Sequence, residues 1–116
     1  MSGQRARRVA EEIKKELSQI IRSEMKDPRM GFLSVTDVEI SADLRVAKVF
    51  VSIMGSEKEQ ALSMGILQRA VGFLRTELGK RIRLRYTPEL SFHLDSSIAQ
   101  GAKIDKLLRE LETKSE

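Results

Sequence analysis

The chain has 116 residues, no cysteine, 41% hydrophobic and 33% charged residues, and a net charge of +4. That is enough for one compact domain (1–116) and too little for two of ordinary size. It excludes a disordered chain, a disulfide framework and thiolate metal sites.

In chain order, "RARRVAEEIKKELSQIIRSEM" repeats apolar residues at Val9, Ile13, Leu17, Ile20, Ile21 and Met25, a three-and-four spacing that predicts an amphipathic helix. "KDPRMG" should end it, because Asp27 before Pro28 is pushed out of helical geometry and Gly31 follows as a second breaker. "FLSVTDVEI" and "RVAKVFVSIM" read as two strands joined by "SADL", an antiparallel hairpin. In the second, Ala47, Val49, Val51 and Ile53 alternate with Lys48, Phe50 and Ser52. In the first, Leu33 and Val35 lie on one parity and Val38 and Ile40 on the other, which predicts a bulge or face change near Thr36 and Asp37.

Helical spacing resumes at Leu67, Val71, Leu74, Leu78 and Ile82, with Ser56 placed as N-cap and Glu59 at the capping-box distance. Pro88 opens a third strand, "ELSFHL", whose Leu90, Phe92 and Leu94 share a face. "DSSIAQGAKIDKLLRELE" reads as a closing helix with Asp95, Ser96 or Ser97 as cap and Ile104, Leu107, Leu108 and Leu111 as its stripe; residues 112–116 should fray. The expected fold is α+β, a three-stranded sheet packed by helices, with the second helical segment bent.

Gly65, Gly72 and Gly79 fall seven apart in that segment, each costing about 1 kcal/mol against alanine inside a helix. Gly79 reads as a C-terminal cap, Gly65 as a contact against the sheet, and Ala70-Val71-Gly72 as the place where the helix bends and its backbone approaches something else.

Charge is unevenly spread. Residues 69–85 hold six basic side chains (Arg69, Arg75, Lys80, Arg81, Arg83 and Arg85) against Glu77, a balance of +5 that leaves −1 for the rest of a +4 chain. A smaller basic centre lies at Arg5, Arg7 and Arg8. Such clustering suits a polyanion, and arginine suits phosphate through its bidentate geometry. If 81–85 is extended, Arg81, Arg83 and Arg85 point the same way. A solvated charged face is the bland alternative, weakened by the shortage of interleaved acids. Aromatics are only 4%, so base stacking is not expected to be the main mode.

Helix, two strands, a bent helix pair and a third strand is the order of a type II KH domain, although no two glycines here are three apart, so its GXXG loop is absent. Along nearly its whole length the chain resembles the ribosome-binding factor A family, through "RVAEEIKKELSQII", "DPRMGFLSVTDVEISADLRVAKVFVS", "LQRAVGFLRTELGKRIRLRYTPELSF" and "LDSSIAQGAKIDKLL". In that family an Ala-x-Gly kink replaces GXXG, and Ala70 and Gly72 match it. The resemblance implies a non-catalytic, cytoplasmic, monomeric assembly factor without cofactor, binding the free 30S subunit and 16S rRNA during late maturation. It further implies support for processing of the precursor 5′ end, importance in the cold, and release by a ribosome-associated GTPase. Some members carry a longer C-terminal tail than this sequence, which stops at Glu116.

Ser97, His93 and Asp95 would supply the residue types of a hydrolase triad, but no nucleophile elbow surrounds them, and no metal-ligand spacing is present. The first helix could dock on a protein; a DNA reader would need a recognition-helix signature that is missing. No apolar run approaches the roughly 18 residues of a membrane span, and the N-terminus lacks a secretory apolar stretch, so neither membrane nor export is expected.

Overall fold

The computed structural model describes residues 2–25 and 30–95. Among them the elements run α1 (Ser2–Glu24), β1 (Leu33–Ile40), β2 (Val46–Ile53), α2 (Glu57–Arg69), α3 (Val71–Arg81) and β3 (Glu89–Leu94). The breaker Asp27-Pro28 and the closing helix, with caps Ser96 and Ser97 and the stripe Ile104, Leu107, Leu108 and Leu111, lie outside the described residues.

The sheet has the order β1-β2-β3, with β1 antiparallel and β3 parallel to the central strand. The helical pair is therefore a crossover that carries the chain from the end of β2 back to the start of β3. The register shifts between Val35 and Asp37, so Thr36 is the extra residue, and its hydroxyl donates to the Phe50 carbonyl at 3.2 Å. This bulge corrects the parity conflict read in the sequence: Val35 pairs with Val51 and Val38 with Val49, all four facing the helices.

That inner face, completed by Ala47, Ile53, Leu90 and Phe92, packs on Ile13, Leu17 and Ile20 of α1, Leu67 of α2, and Leu74 and Leu78 of α3. Burying each large aliphatic side chain contributes about 1.5–3 kcal/mol. Leu94, expected on the same face, is 42% exposed at the strand's end. Lys48, Phe50 and Ser52 alternate out to the opposite face, as does His93.

Two helix signals differ in detail from the sequence reading. Ser56 caps α2 by accepting from the Glu59 N–H at 3.2 Å, but the Glu59 carboxylate accepts from the Ser56 hydroxyl and not from its backbone. Gly79 is not a cap. Helix α3 continues to Arg81 and is closed by extended Ile82, while a Cβ at Gly79 would stand 2.8 Å from the Thr87 hydroxyl, so the glycine permits close approach of the returning chain.

Candidate nucleic-acid interface

The two helices of the crossover are separated by one residue. Ala70 (φ −91°, ψ 3°) leaves helical geometry, its N–H shared between the carbonyls of Ile66 and Leu67, and its own carbonyl starts α3 by accepting from Leu74. The bend expected at Ala70-Val71-Gly72 is thus made at Ala70. Gly72 has no positive φ, its carbonyl accepts from the Thr76 hydroxyl at 3.0 Å, and no described atom comes within 4 Å of where its Cβ would be. Gly65, expected to pack on the sheet, instead faces only Arg69, whose Nε donates to the Gly65 carbonyl at 3.2 Å.

The basic residues divide by what already occupies them. Arg75 is half-buried, and its guanidinium donates from Nε to the Pro88 carbonyl and from Nη2 to the Thr87 carbonyl, both at 3.0 Å. It fastens α3 to the chain entering β3. Arg81, the last residue of α3, reaches Glu16 at 3.4 Å and Gln19 at 3.5 Å on α1, which sets it apart from Arg83 and Arg85 in the irregular chain that follows. Lys80 pairs with Glu77 at 3.2 Å across one helical turn and stays mostly in solvent, where such a pair contributes little. Arg69 is the last residue of α2, beyond the break at Ala70, so the length of α3, about 16 Å, stands between it and Arg81.

Arg83 and Arg85 are exposed on either side of half-buried Leu84, following buried Ile82. Neither they nor Arg5, Arg7 and Arg8 of α1 form an ion pair among the described residues. Arg7 lines a shallow groove with Glu11, Asp37 and Glu39, which lowers the positive potential there. Arg5 faces the other way, into a groove of about 410 Å³ lined by Leu44, Arg45, Leu84, Arg85 and Tyr86. The structure thus brings one member of each basic centre, Arg5 and Arg85, together at the end of the sheet that carries the β1–β2 turn.

Two members of this groove escaped the sequence reading. Tyr86 is 57% exposed, with the guanidinium carbons of Arg45 and Arg85 at 5.4 and 5.6 Å from its ring centroid, each cation–π contact contributing about 0.5–1 kcal/mol at an exposed site. Arg45 reads as the first residue of a strand, 40 positions from Arg85; only parallel pairing of β2 with β3, where Glu89 N–H donates to the Arg45 carbonyl at 2.8 Å, brings it to Tyr86. The available signal was "RYT", an aromatic directly beside an arginine.

The turn holding Arg45 is tightly bonded. The Ser41 hydroxyl donates to Asp43 at 2.6 Å and accepts from the N–H groups of Arg45 and Val46, while Leu44, packed against the core, takes a left-handed conformation with φ 61°. The Ser41 hydroxyl, then the Arg45 N–H, hold the Asp43 carboxyl below the usual aspartate value.

His93 shares a hydrogen bond with Ser91 at 3.0 Å and lies against Phe50, their ring centroids 5.7 Å apart. Ser97, the serine of the paper triad, lies outside the described residues. Among the described residues no helix is long and apolar enough to cross a membrane, and no cluster of three metal-ligating side chains is found.

Comparison with known proteins bears on the chain as a whole. The family model described as ribosome-binding factor A matches residues 5–108. A ribosome-binding factor A of Brevibacillus brevis is 55% identical over 116 residues, covering 100% of this chain and 96% of its own. The crystal structure of ribosome-binding factor A from Thermus thermophilus aligns with a TM-score of 0.69 at 29% identity, over 77% of this chain and 94% of that one. A homology model of Thermus thermophilus ribosome-binding factor A, fitted into the cryo-electron-microscopy map of a 30S complex with that factor, aligns with a TM-score of 0.62 at 30% identity, over 74% of this chain and 90% of that one.

Proposed function

Because the chain belongs to the ribosome-binding factor A family, we propose that it binds the free 30S subunit during late maturation. On this reading it is a monomeric, cytoplasmic assembly factor that contacts 16S rRNA near its 5′ end through a single KH-like domain and catalyses no reaction. The observation that carries the reading is the likeness, at 30% identity and a TM-score of 0.62, to a protein fitted into a 30S complex. Arg5, Arg45 and Arg85 at one end of the sheet, none in an ion pair among the described residues, support it, since phosphate contacts fix a protein's register on RNA without reading sequence.

The mechanism proposed is selective binding. A factor can favour only the rRNA conformation to which it binds more tightly, and that preference would aid processing of the precursor's 5′ end, most of all in the cold. Release would need a second agent, in this family a ribosome-associated GTPase. Arg5, Arg8, Arg83 and Arg85 are assigned direct phosphate contacts. Arg7, Arg69, Lys80 and Arg81 contribute to the field, and Arg75 acts by holding α3 and the entry to β3 together. The helix break at Ala70 occupies the place of the KH loop.

The test is co-migration with small subunits on a sucrose gradient, at low and at moderate salt, for the wild type and for Arg83→Glu/Arg85→Glu. Arg81 is left out because a carboxylate there would face Glu16. The wild type should travel with free small subunits and leave them as salt rises. The double variant should stay at the top with an unchanged circular-dichroism spectrum. Undiminished association of that variant would overturn the placement of the interface.

A further inference from the structure

We propose that the groove between Arg5, Arg45, Arg85 and Tyr86 is a clamp for one nucleotide of single-stranded RNA, with Arg45 and Arg85 taking its phosphate and its base stacking on the platform they form with Tyr86. This rests on the RNA-binding reading above and assigns part of that surface a distinct chemistry.

Four features of the site converge on it. The groove, about 410 Å³, has cationic walls and an apolar floor of Leu44 and Leu84, the mixture that a charged phosphate joined to a flat base requires. Tyr86 lies more than half in solvent between residues whose guanidiniums both come within 6 Å of its ring. A ring so placed orients each planar guanidinium through its face while the N–H edges remain for an anion. Arg45 and Arg85 form no ion pair among the described residues; the acid that does line the groove, Asp43, already accepts from the Ser41 hydroxyl at 2.6 Å and the Arg45 N–H at 3.1 Å. Three arginines against one engaged carboxylate leave an excess of positive charge that a phosphate relieves.

The site is also prepared in advance. The Ser41 hydrogen bonds and the half-buried anchor of Leu44 in its left-handed conformation hold the turn, and the backbone bond from Glu89 to Arg45 fixes that turn to the strand following Tyr86. A strained, over-determined turn beside a cationic groove is where ordering cost has been met before the ligand arrives. Duplex RNA cannot supply an unstacked base to such a groove, so the clamp selects a single strand.

The chain has one tyrosine and no tryptophan, so its intrinsic emission reports Tyr86 alone. The experiment titrates the full chain with an oligouridylate of about twelve nucleotides, within the span of single-strand binding sites, and with a duplex of equal length. Tyrosine emission should fall with the single strand and change little with the duplex. Tyr86→Leu should weaken single-strand binding about tenfold and Tyr86→Phe should preserve it. Arg45→Gln leaves the backbone bond to Glu89 intact and should flatten the logarithmic salt dependence by about 0.7, one phosphate's share.

Single-strand binding with unchanged emission and unchanged affinity in Tyr86→Leu would overturn the clamp and leave the subunit reading standing. The clamp would also fall if the wild type travelled with small subunits but took up neither oligonucleotide. Absence of both oligonucleotide and subunit binding would remove the RNA reading and the clamp together.

Discussion

Gly72→Ala separates the two reasons for which a glycine can be kept at a helix bend. If the bend needed it, Gly72 would show a positive φ or a neighbour too close for a Cβ. It shows neither: its backbone is helical, and the space its methyl would fill is open among the described residues. Alanine there should therefore stabilise the domain. The full helix-interior gain is about 1 kcal/mol, but Gly72 is the second residue of α3, so about 0.5–1 kcal/mol is expected, raising Tm by about 2–4 °C in a chain of this size. The same methyl group should hinder a partner that approaches the backbone at the bend, lowering subunit association by tenfold or more if about 1.4 kcal/mol of contact is lost. Thermal denaturation and gradient co-migration of one variant give both answers. Destabilisation by 1 kcal/mol or more would refute the packing argument. A stabilised variant that binds as tightly as the wild type would refute the contact.

Other substitutions probe the scaffold around the interface. Arg75→Ala removes two charge-assisted hydrogen bonds at a half-buried site and should cost about 2 kcal/mol in urea denaturation; unaltered stability with lost RNA binding would return Arg75 to the phosphate contacts. Gly79→Ala should gain little of its helical benefit because the new Cβ meets the Thr87 hydroxyl at 2.8 Å, whereas the same change in a Thr87→Ala background should gain about 0.5–1 kcal/mol. Equal effects in the two backgrounds would dismiss that contact. Asp43 has a folded-state pKa below its unfolded value, so its contribution to stability is present above the unfolded pKa and is lost as pH falls through the folded one. Carbon-detected titration should find the Asp43 midpoint below that of an ordinary aspartate, and Ser41→Ala should raise it; an unmoved midpoint would contradict the hydroxyl's role.

Much of the fold was legible because its signals are local. The α1 stripe from Val9 to Ile21 and the β2 alternation are periodicities that one element carries by itself, and both residue sets are buried as their spacing requires. Even the bulge could be located, since reversal of parity within one strand has few other remedies. Glycines were harder. The sequence marks where they fall, but whether a Cβ would meet the sheet, a hydroxyl or open space is a tertiary matter: Gly65, expected against the sheet, faces only Arg69; Gly79, expected as a cap, lies inside α3 beside Thr87; and the two helices break at Ala70, while Gly72 keeps helical geometry.

The candidate interface was legible as charge and illegible as geometry, and the arginines show why. Arg75 and Arg83 look alike in the sequence, each in a segment short of acids. One folds against the carbonyls of Thr87 and Pro88 and the other remains in solvent, a distinction set by the return of the chain to β3, thirteen positions on from Arg75 at Pro88. Counting cations therefore overstates the phosphate-binding capacity of residues 69–85, because one guanidinium is occupied by the fold and two further cations have carboxylate partners. It also understates the site, because Arg45 belongs to no cluster until parallel pairing of β2 with β3 brings the start of one strand to the entry of the other. A charge run locates a surface; the hydrogen bonds already made decide which of its members can receive a ligand.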